Sequence, residues 1–271
     1  MSTSPYLATA VDAALAAGEL LRSHFGSALE VNEFAAHDIK LELDVRSQEL
    51  ITNILLERFP DHAIYGEEGI AGNQQSDFQW IVDPIDGTVN YFYGIPHFCI
   101  SIALRERGEI IVGVIYDPSR NELWQVERGG TPTLNGKPIH VSTRNKLSDA
   151  VLSIGFAKSK ETIAAGLPVL DHFVSKARKC RLMGSAALDL AYVACGRLDG
   201  YFEAGVQPWD IAAGVLLVRE AGGRICDFRG SGMTRMDIAE ARGRQVVAGN
   251  VKLVEPLQKT IVSSGYAKAF D

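Results

Sequence analysis

The chain has 271 residues, 46% of them hydrophobic and 22% charged, so it can bury a large core and is neither disordered nor fibrous. Its formal net charge of −6 opposes contact with a phosphate backbone, so we do not expect nucleic acid as the main partner. The four cysteines form no C-x-x-C pair, which predicts buried structural thiols in a reducing compartment rather than a zinc site or a redox pair. Without a basic leader or a long uncharged apolar run, we expect a cytoplasmic protein that does not contact membranes.

The first half of the chain begins with helical patterns and continues with strands. Ser4 and Pro5 predict the start of a helix that ends before Gly26, and a second amphipathic helix is predicted over 45–59. From 79 to 142 the texture changes to three apolar runs separated by short turns, FCISIAL, IIVGVIYD and ELWQVE. These runs predict an antiparallel meander.

Strands and helices alternate in the second half, from Ala150 onward. Helices are predicted over 161–178, from Ser185, from Pro208 and from about Leu253, and the runs between them are AVLSIGF, KCRLMG, RLDGYFEAG and GRICDF. The sequence therefore predicts a mixed α/β protein. Its halves, 1–145 and 146–271, would meet near residues 143–150 and form one compact unit.

The stretch WIVDPIDGTVN, which starts at position 80, holds two aspartates three residues apart. Pro-Ile-Asp-Gly is good turn chemistry, so an ordinary turn is one interpretation. A cation site is the other, because the buried run QWIV would place Asp83 at a strand end and Asp86 in the turn beyond it, with the carbonyl of Ile85 directed the same way. Two carboxylates and a carbonyl are the hard oxygen ligands that Mg²⁺ prefers.

Two further segments carry acids beside short apolar runs. In YGEEG, Glu67 and Glu68 precede a glycine and form either a solvated acidic loop or part of the same cation site. In QPWDIAAG, Asp210 falls in the first turn of a helix entered through Pro208. There it either compensates the helix dipole or binds a cation.

In this order, Gly-Glu-Glu, Trp-Ile-Val-Asp-Pro-Ile-Asp-Gly-Thr-Val-Asn and Trp-Asp-Ile-Ala-Ala-Gly resemble the inositol monophosphatase family, within the Mg²⁺-dependent, lithium-sensitive phosphatases. MGSAALDLAYVACGRLDGYFEAG and EAGG extend the resemblance to nearly the whole chain. It implies a layered α-β-α-β-α sandwich, a homodimer, and the hydrolysis of a small phosphorylated polyol with two to three Mg²⁺ ions per chain.

The resemblance also implies which residues bind the ions. Glu67, Asp83 and the carbonyl of Ile85 match the ligands of a first Mg²⁺, and Asp83, Asp86 and Asp210 match those of a second. A third, looser ion would lie near Glu67, with Asp44 in its outer coordination sphere. Charge balance supports this independently, because several carboxylates cannot share one pocket without cations.

The implied mechanism is in-line attack on phosphorus by a metal-activated water, without a covalent phosphoenzyme. The implied catalytic residues are Glu67, Thr88 and Asp44, of which Glu67 and Thr88 orient the water and help to remove its proton. The N–H groups of Gly87 and Thr88 would hold phosphate oxygens at a helix N-terminus. In all, the implied substrate-binding residues are Glu67, Ile85, Asp86, Gly87, Thr88, Gly184, Ser185, Ala186, Glu203 and Asp210.

Two of these residues have simpler explanations. Ser185, in the loop that matches the substrate side of the family site, is also a plain helix N-cap. Glu203 matches the family's hydroxyl-binding acid, but it is also explained as a surface charge at a strand end.

One segment departs from the family pattern. Where relatives usually read Asp-Leu-Val-Thr and then Asp three residues on, residues 38–44 read DIKLELD, with Lys40 and Leu41 in place of Val-Thr. The strict alternation predicts a half-buried extended segment with Lys40 and Asp44 on one face. Lys40 would then partly neutralise Asp44, and the third Mg²⁺ would bind weakly. An ordinary solvated edge with local ion pairs is the alternative.

Three functional hypotheses follow. The first is an inositol 1-phosphate phosphatase, because NYFYGIPHFCISIAL resembles that branch of the family most closely. The second is a sister phosphatase for 3′-phosphoadenosine 5′-phosphate, fructose 1,6-bisphosphate or histidinol phosphate. The third is a non-enzymatic partner protein that retains the fold, and the intact acidic set argues against it.

Overall fold

The structure is a computed structural model that describes residues 3–35, 38–156, 160–236 and 243–270. Helix α1 (Pro5–His24) begins where predicted, because the hydroxyl of Ser4 accepts the N–H of Leu7 at 3.2 Å and proline occupies the first helical position. Two antiparallel strands follow, β1 (Val31–Ala35) and β2 (Asp38–Leu41), and then helix α2 (Glu42–Arg58).

The expected extended segment over 38–44 is correct only as far as Leu41. Helix α2 begins at Glu42, three residues earlier than predicted, and Asp44 therefore lies in its first turn. The N–H of Leu41 donates to Oδ2 of Asp44 at 2.8 Å, and acids in a first turn also interact favourably with the helix dipole. Lys40 stays on the strand, so the two residues do not share a strand face, and the proposed neutralisation loses its geometric basis.

A large sheet of eight strands occupies the first half of the chain. Its strands are β3 (Ala63–Gly66), β4 (Gly69–Gly72), β5 (Phe78–Asp86), β6 (Cys99–Glu106), β7 (Glu109–Asp117), β8 (Glu122–Glu127), β9 (Thr133–Leu134) and β10 (Lys137–Pro138). Their order is β10-β9-β8-β7-β6-β5-β3-β4, and only β3 and β5 are parallel. The predicted meander is confirmed as β6-β7-β8. A short helix, α3 (Thr88–Phe92), connects β5 to β6.

The second half forms a five-stranded sheet with helices on both faces. In chain order its elements are β11 (Val151–Ile154), α4 (Lys160–Lys176), β12 (Lys179–Arg181), α5 (Ala186–Ala194), β13 (Gly200–Val206), α6 (Pro208–Glu220), β14 (Gly223–Cys226), β15 (Arg244–Asn250) and α7 (Val251–Ser263). The strand order is β12-β11-β13-β15-β14, with β11 parallel to both neighbours. Strand β15 is an element that the sequence analysis did not predict.

Three apolar cores separate five layers. The first lies between α1, α2 and one face of the large sheet, and includes Leu21, Ile51 and Trp80. The second surrounds α5 and α6 between the two sheets, and the third packs α4 and α7 on the outer face of the small sheet. The predicted α-β-α-β-α sandwich is therefore confirmed. The division at 145/146 stays a prediction, since α6 packs against strands of the large sheet.

All four cysteines are free thiols in the described part of the chain, but the prediction that they are buried holds only for Cys99 and Cys226, because Cys180 and Cys195 are partly exposed. Over the same residues, each helix is too short or too polar to cross a bilayer.

Candidate metal and phosphate site

The candidate site begins at the end of β5. This strand continues to Asp86, with a pairing irregularity between Asp83 and Asp86, so Asp86 lies in the strand and not in a turn beyond it. Gly87 then turns the chain with φ +96° and precedes α3. A Cβ at Gly87 would lie 3.0 Å from the carbonyl oxygen of His97 and 3.2 Å from that of Gly184. Both the backbone angle and the close packing therefore require glycine.

Three carboxylates meet at this point. Asp83, Asp86 and Asp210 each place one oxygen within 4.8 Å of the others, and the first two are 1% and 8% exposed. Asp210 comes from the first turn of α6, where its Oδ2 also accepts the N–H of Gln207 at 2.7 Å. Asp210 therefore contributes to the start of α6 and to the acidic cluster at once.

Hydrogen bonds fix two of these carboxylates. Oδ2 of Asp86 accepts the hydroxyl of Ser185 at 2.6 Å and the N–H of Ala187 at 2.7 Å. Oδ1 of Asp83 accepts the N–H of Ile85 at 3.0 Å. Ser185 is also the N-cap of α5, so the simpler explanation of this residue is confirmed, and its hydroxyl orients Asp86 as well.

A second hydrogen-bonded group lies behind the cluster. The hydroxyl of Thr88 is 2.9 Å from the carbonyl oxygen of Ile85 and 3.3 Å from Oδ1 of Asp44. Burial raises the pKa of Asp44 to about 7, and the charge of Glu68 adds to the rise. The hydrogen bonds from the Leu41 N–H and the Thr88 hydroxyl oppose it. A carboxyl in that range is suited to exchanging a proton near neutral pH.

The acidic cluster has the electrostatics of a cation site. Burial raises the pKa of Asp83 well above its usual range, and the charges of Glu67, Asp86, Asp210 and Asp44 raise it further. Burial also raises the pKa of Asp86, against the hydrogen bonds from Ser185 and Ala187. A bound cation would relieve this repulsion, and the donors are all oxygens. The residues present therefore fit Mg²⁺.

A cavity of about 470 Å³ opens over the cluster. It is lined by nearly all of the residues predicted from the sequence, which are Glu67, Asp83, Ile85, Asp86, Gly87, Thr88, Gly184, Ser185, Ala186, Glu203 and Asp210. Asp44 lies behind Thr88, outside this lining. Glu203 lies within β13 and faces the cavity, so its interpretation as a surface charge at a strand end is wrong.

Two polar residues of the cavity were not predicted from the sequence. Nδ2 of Asn90 donates to the carbonyl oxygens of His97 at 2.8 Å and Met183 at 2.9 Å, which ties α3 to the loop before α5. Asp189 is 2% exposed and lines the same cavity from α5. The signal for Asp189 was present, because a helix as apolar as AALDLAYVA rarely carries a buried acid without a purpose.

Comparison with known proteins points to the family that the sequence motifs resemble, over almost the full length of the chain. The family model described as Inositol monophosphatase family matches residues 2–263. Nus factor SuhB of Xylella fastidiosa is 46% identical over 265 residues, which cover 96% of each chain. The extragenic suppressor protein suhB of Bartonella henselae superposes with a TM-score of 0.88 at 35% identity, over 95% of this chain and 98% of that one. The inositol monophosphatase of Anabaena gives 0.82 at 36% identity, over 95% of both chains.

Proposed function

The chain belongs to the inositol monophosphatase family, and we propose that it is a Mg²⁺-dependent phosphatase that hydrolyses inositol 1-phosphate to inositol and phosphate. The convergence of Asp83, Asp86 and Asp210 in one cavity carries this proposal. The name of the Anabaena neighbour, an inositol monophosphatase, supports the choice of substrate.

Two to three Mg²⁺ ions per chain complete the proposed site. Glu67, Asp83 and the Ile85 carbonyl would hold the first, Asp83, Asp86 and Asp210 the second, and Glu67 the third, with Asp44 in its outer sphere. When bound, these ions supply the positive charge that polarises the phosphate ester and lowers the pKa of an attacking water. Inhibition by lithium belongs to the same proposal.

The chain's own groups bind the phosphate and move the proton. The N–H groups of Gly87 and Thr88 and the loop of Gly184, Ser185 and Ala186 line the cavity, where they can donate to phosphate oxygens. Thr88 would take a proton from the water and pass its own to Asp44, and the contacts of its hydroxyl with Ile85 and Asp44 support this role. Glu67 helps to orient the water.

Glu203 is proposed to bind the hydroxyls of the polyol. The hydroxyl of Tyr201 donates to Oε2 of Glu203 at 2.5 Å and fixes the carboxylate in the cavity wall. Glu203→Gln should therefore lower turnover of inositol 1-phosphate far more than turnover of p-nitrophenyl phosphate, which has no hydroxyls to lose. Equal losses on the two substrates would assign Glu203 to the metals or to the fold.

A phosphate-release assay over a panel of monoesters tests the function directly. The panel includes inositol 1-phosphate, 3′-phosphoadenosine 5′-phosphate, fructose 1,6-bisphosphate and histidinol phosphate, so the sister activities compete in one experiment. EDTA should abolish release, Mg²⁺ should restore it, and Asp86→Asn should lower kcat by at least about 10³-fold with the fold intact. Full activity in chelator contradicts the proposal.

The relatives named Nus factor SuhB favour a second candidate, in which the chain acts as such a factor through protein partners, with or without catalysis. Its net charge of −6 favours a protein surface over nucleic acid as the direct contact. Cells in which Asp86→Asn is the only copy of the protein separate the two functions. If these cells grow like wild type, the result supports the partner function. If they grow like a strain that lacks the protein, the result supports catalysis. We also propose that the protein is a cytoplasmic homodimer. Light scattering on the purified protein would measure the mass of the assembly.

A further inference from the structure

The cavity has a second acidic wall, formed by Asp189 and Glu203 and separate from the three clustered aspartates. Asp189 comes from α5 and Glu203 from β13, and both line the cavity. The charge of Glu203 contributes to the raised pKa of Asp189, and the charges of both acids contribute to the raised pKa of Tyr201. The two carboxyls are therefore neighbours.

Two hydroxyls hold these carboxyls in place. Ser153 and Tyr201 are directly paired in the parallel register of β11 and β13. The Ser153 hydroxyl donates to Oδ2 of Asp189 at 2.7 Å, as the Tyr201 hydroxyl does to Oε2 of Glu203. A Cβ on Gly155 would overlap the Glu203 carboxylate at 1.8 Å, so glycine leaves the space that this side chain fills.

One oxygen of the wall has no such partner. Oδ1 of Asp189 is buried and accepts no hydrogen bond from the residues that the structure describes, whereas Oδ2 is bound by Ser153. Buried polar atoms are nearly always hydrogen-bonded, so an unbonded oxygen on a residue that lines the cavity points to a ligand group as its partner. In the proposed function the phosphate binds at the clustered aspartates, where Mg²⁺ would offset their negative charge. The wall therefore faces the uncharged end of the substrate.

We infer that Asp189 is a substrate-binding residue, whose Oδ1 takes one hydroxyl of a polyol phosphate while Glu203 takes the neighbouring hydroxyl. This inference rests on the proposed phosphatase function and adds its specificity: the pair selects phosphomonoesters with two adjacent hydroxyls. Burial, and then the charges of Glu203 and Asp86, raise the pKa of Asp189 against the Ser153 hydrogen bond. A neutral carboxyl both donates and accepts, as a hydroxyl partner requires.

Asp189→Leu tests the inference, because leucine fills a similar volume without a polar atom. The substrates are inositol 1-phosphate, a deoxy analogue that lacks one hydroxyl next to the ester carbon, and p-nitrophenyl phosphate. We expect kcat/KM for inositol 1-phosphate to fall at least about tenfold, mainly through KM, and kcat/KM for p-nitrophenyl phosphate to stay within about twofold. The analogue that lacks the hydroxyl bound by Asp189 should be turned over equally by wild type and variant.

Asp199→Asn is the matched control. Asp199 is equally buried in the same half of the chain, but its carboxylate is bound by Ser142, Arg144 and the N–H of Val151, and it does not line the cavity. This variant should change the three substrates by one common factor. If Asp189→Leu does not fold by circular dichroism, Asp189→Asn gives the measurement. In the asparagine side chain the oxygen only accepts and the nitrogen only donates, so neither atom can do both as a neutral carboxyl does. The ratio of kcat/KM for inositol 1-phosphate to that for the analogue should therefore fall at least about threefold.

The outcomes are distinguishable. Equal losses on all three substrates would make Asp189 a structural residue and overturn the inference, and so would unchanged selectivity. In both cases the proposed phosphatase function stands. A wild-type protein that hydrolyses none of the three substrates would overturn the proposed function, and this inference with it.

Discussion

Asp86 joins the two halves of the molecule through one oxygen. Its Oδ2 accepts the hydroxyl of Ser185 and the N–H of Ala187, both at the start of α5, although Asp86 itself ends a strand of the large sheet. A carboxylate at a helix N-terminus satisfies unbonded N–H groups and interacts favourably with the helix dipole. The same side chain therefore caps α5 from a distance and belongs to the proposed metal site.

Thr88 offers the sharpest test of proton transfer. Its hydroxyl lies between Asp44 and the Ile85 carbonyl, and valine would keep the shape while removing the hydroxyl. Thr88→Val should lower kcat by about 10²- to 10⁴-fold, the usual contribution of a positioned acid–base group, without a comparable change in KM. Thr88→Ser keeps the hydroxyl and should retain most activity. If valine and serine lose activity equally, the methyl packing of Thr88 matters and its hydroxyl does not.

The turn between β5 and α3 has the strictest backbone requirement of the site. Gly87 combines φ +96° with two carbonyl oxygens close to the position that a Cβ would occupy, whereas Gly26 has φ +79° and open space at that position. Gly26→Ala should cost about 1 kcal/mol from backbone angle alone. Gly87→Ala should cost up to about 3 kcal/mol, because strain and close contacts add.

Urea unfolding measures both glycine variants, and steady-state kinetics adds a second readout. Gly87→Ala should also lower kcat, because displacement of Gly87 moves the Thr88 hydroxyl relative to Asp44. Gly26→Ala should leave kcat unchanged, since Gly26 follows α1 and does not line the cavity. Similar losses of stability in both variants would show that the contacts of Gly87 relax at little cost.

Elements built from local signals were predictable from the sequence, and those set by distant pairing were not. Capping by Ser4 and Pro5 fixed the start of α1, and turns of a few residues fixed the β6-β7-β8 meander. The predicted start of α2 was wrong, because the alternation of DIKLELD fits a strand. The hydrogen bond from the N–H of Leu41 to Asp44, which belongs to the start of the helix, is not visible in a sequence pattern. Strand β15 was missed because its partners β13 and β14 precede it across a long connection.

The corrected start of α2 changes what Lys40 is expected to do. Asp44 is turned inward from the helix and bonded to Leu41 and Thr88, while Lys40 remains on β2. Lys40→Ala should therefore leave the Mg²⁺ concentration for half-maximal activity unchanged. Asp44→Asn should raise that concentration, because it removes a negative charge behind the site. A lower midpoint for Lys40→Ala would restore the coupling between these residues.

At the scale of the whole molecule, the sequence predicted the first acidic cluster but not the second wall. The cluster was readable because Asp83 and Asp86 are close in sequence and the family resemblance added Asp210. The wall depends on the register of β11 against β13 and on the seating of α5 above them. No local pattern encodes that register, so Ser153 and Tyr201 acquire meaning only in the folded chain, whereas Asp189 is signalled by the apolar helix that carries it.

Buried acids also make the stability of the whole chain depend on pH and metal. In the metal-free protein the pKa of Asp44 is raised to about 7 and that of Asp83 is raised well above its usual range. A raised pKa means that the folded chain holds the proton more tightly than the unfolded chain does. The contribution of these two acids to the free energy of unfolding should therefore be fully present below the unfolded value near 3.9 and be lost as pH rises through about 7 and beyond.

Melting curves in EDTA and in Mg²⁺ between pH 5 and 8 check this dependence. In EDTA the stabilisation that the protonated acids give to the protein, and with it the Tm, should decrease with rising pH. The increase in Tm on adding Mg²⁺ should be largest at pH 8, because the cation binds the deprotonated acids. A Mg²⁺ effect that is constant with pH would show that these carboxyls are already ionised at pH 5.

Asp83→Asn connects this dependence to one side chain. The substitution removes a buried charge that four other carboxylates repel, so at pH 8 in EDTA its Tm should be equal to or above that of wild type, while Mg²⁺ should raise it much less. Asp199→Asn is the control, because it weakens the hydrogen bonds and the ion pair that the buried Asp199 carboxylate makes with Ser142, Arg144 and the N–H of Val151, and it should lower Tm with the Mg²⁺ effect preserved. If Asp83→Asn lowers Tm in EDTA as much as Asp199→Asn does, the Asp83 carboxylate stabilises the fold and is not a repelled ligand awaiting a cation.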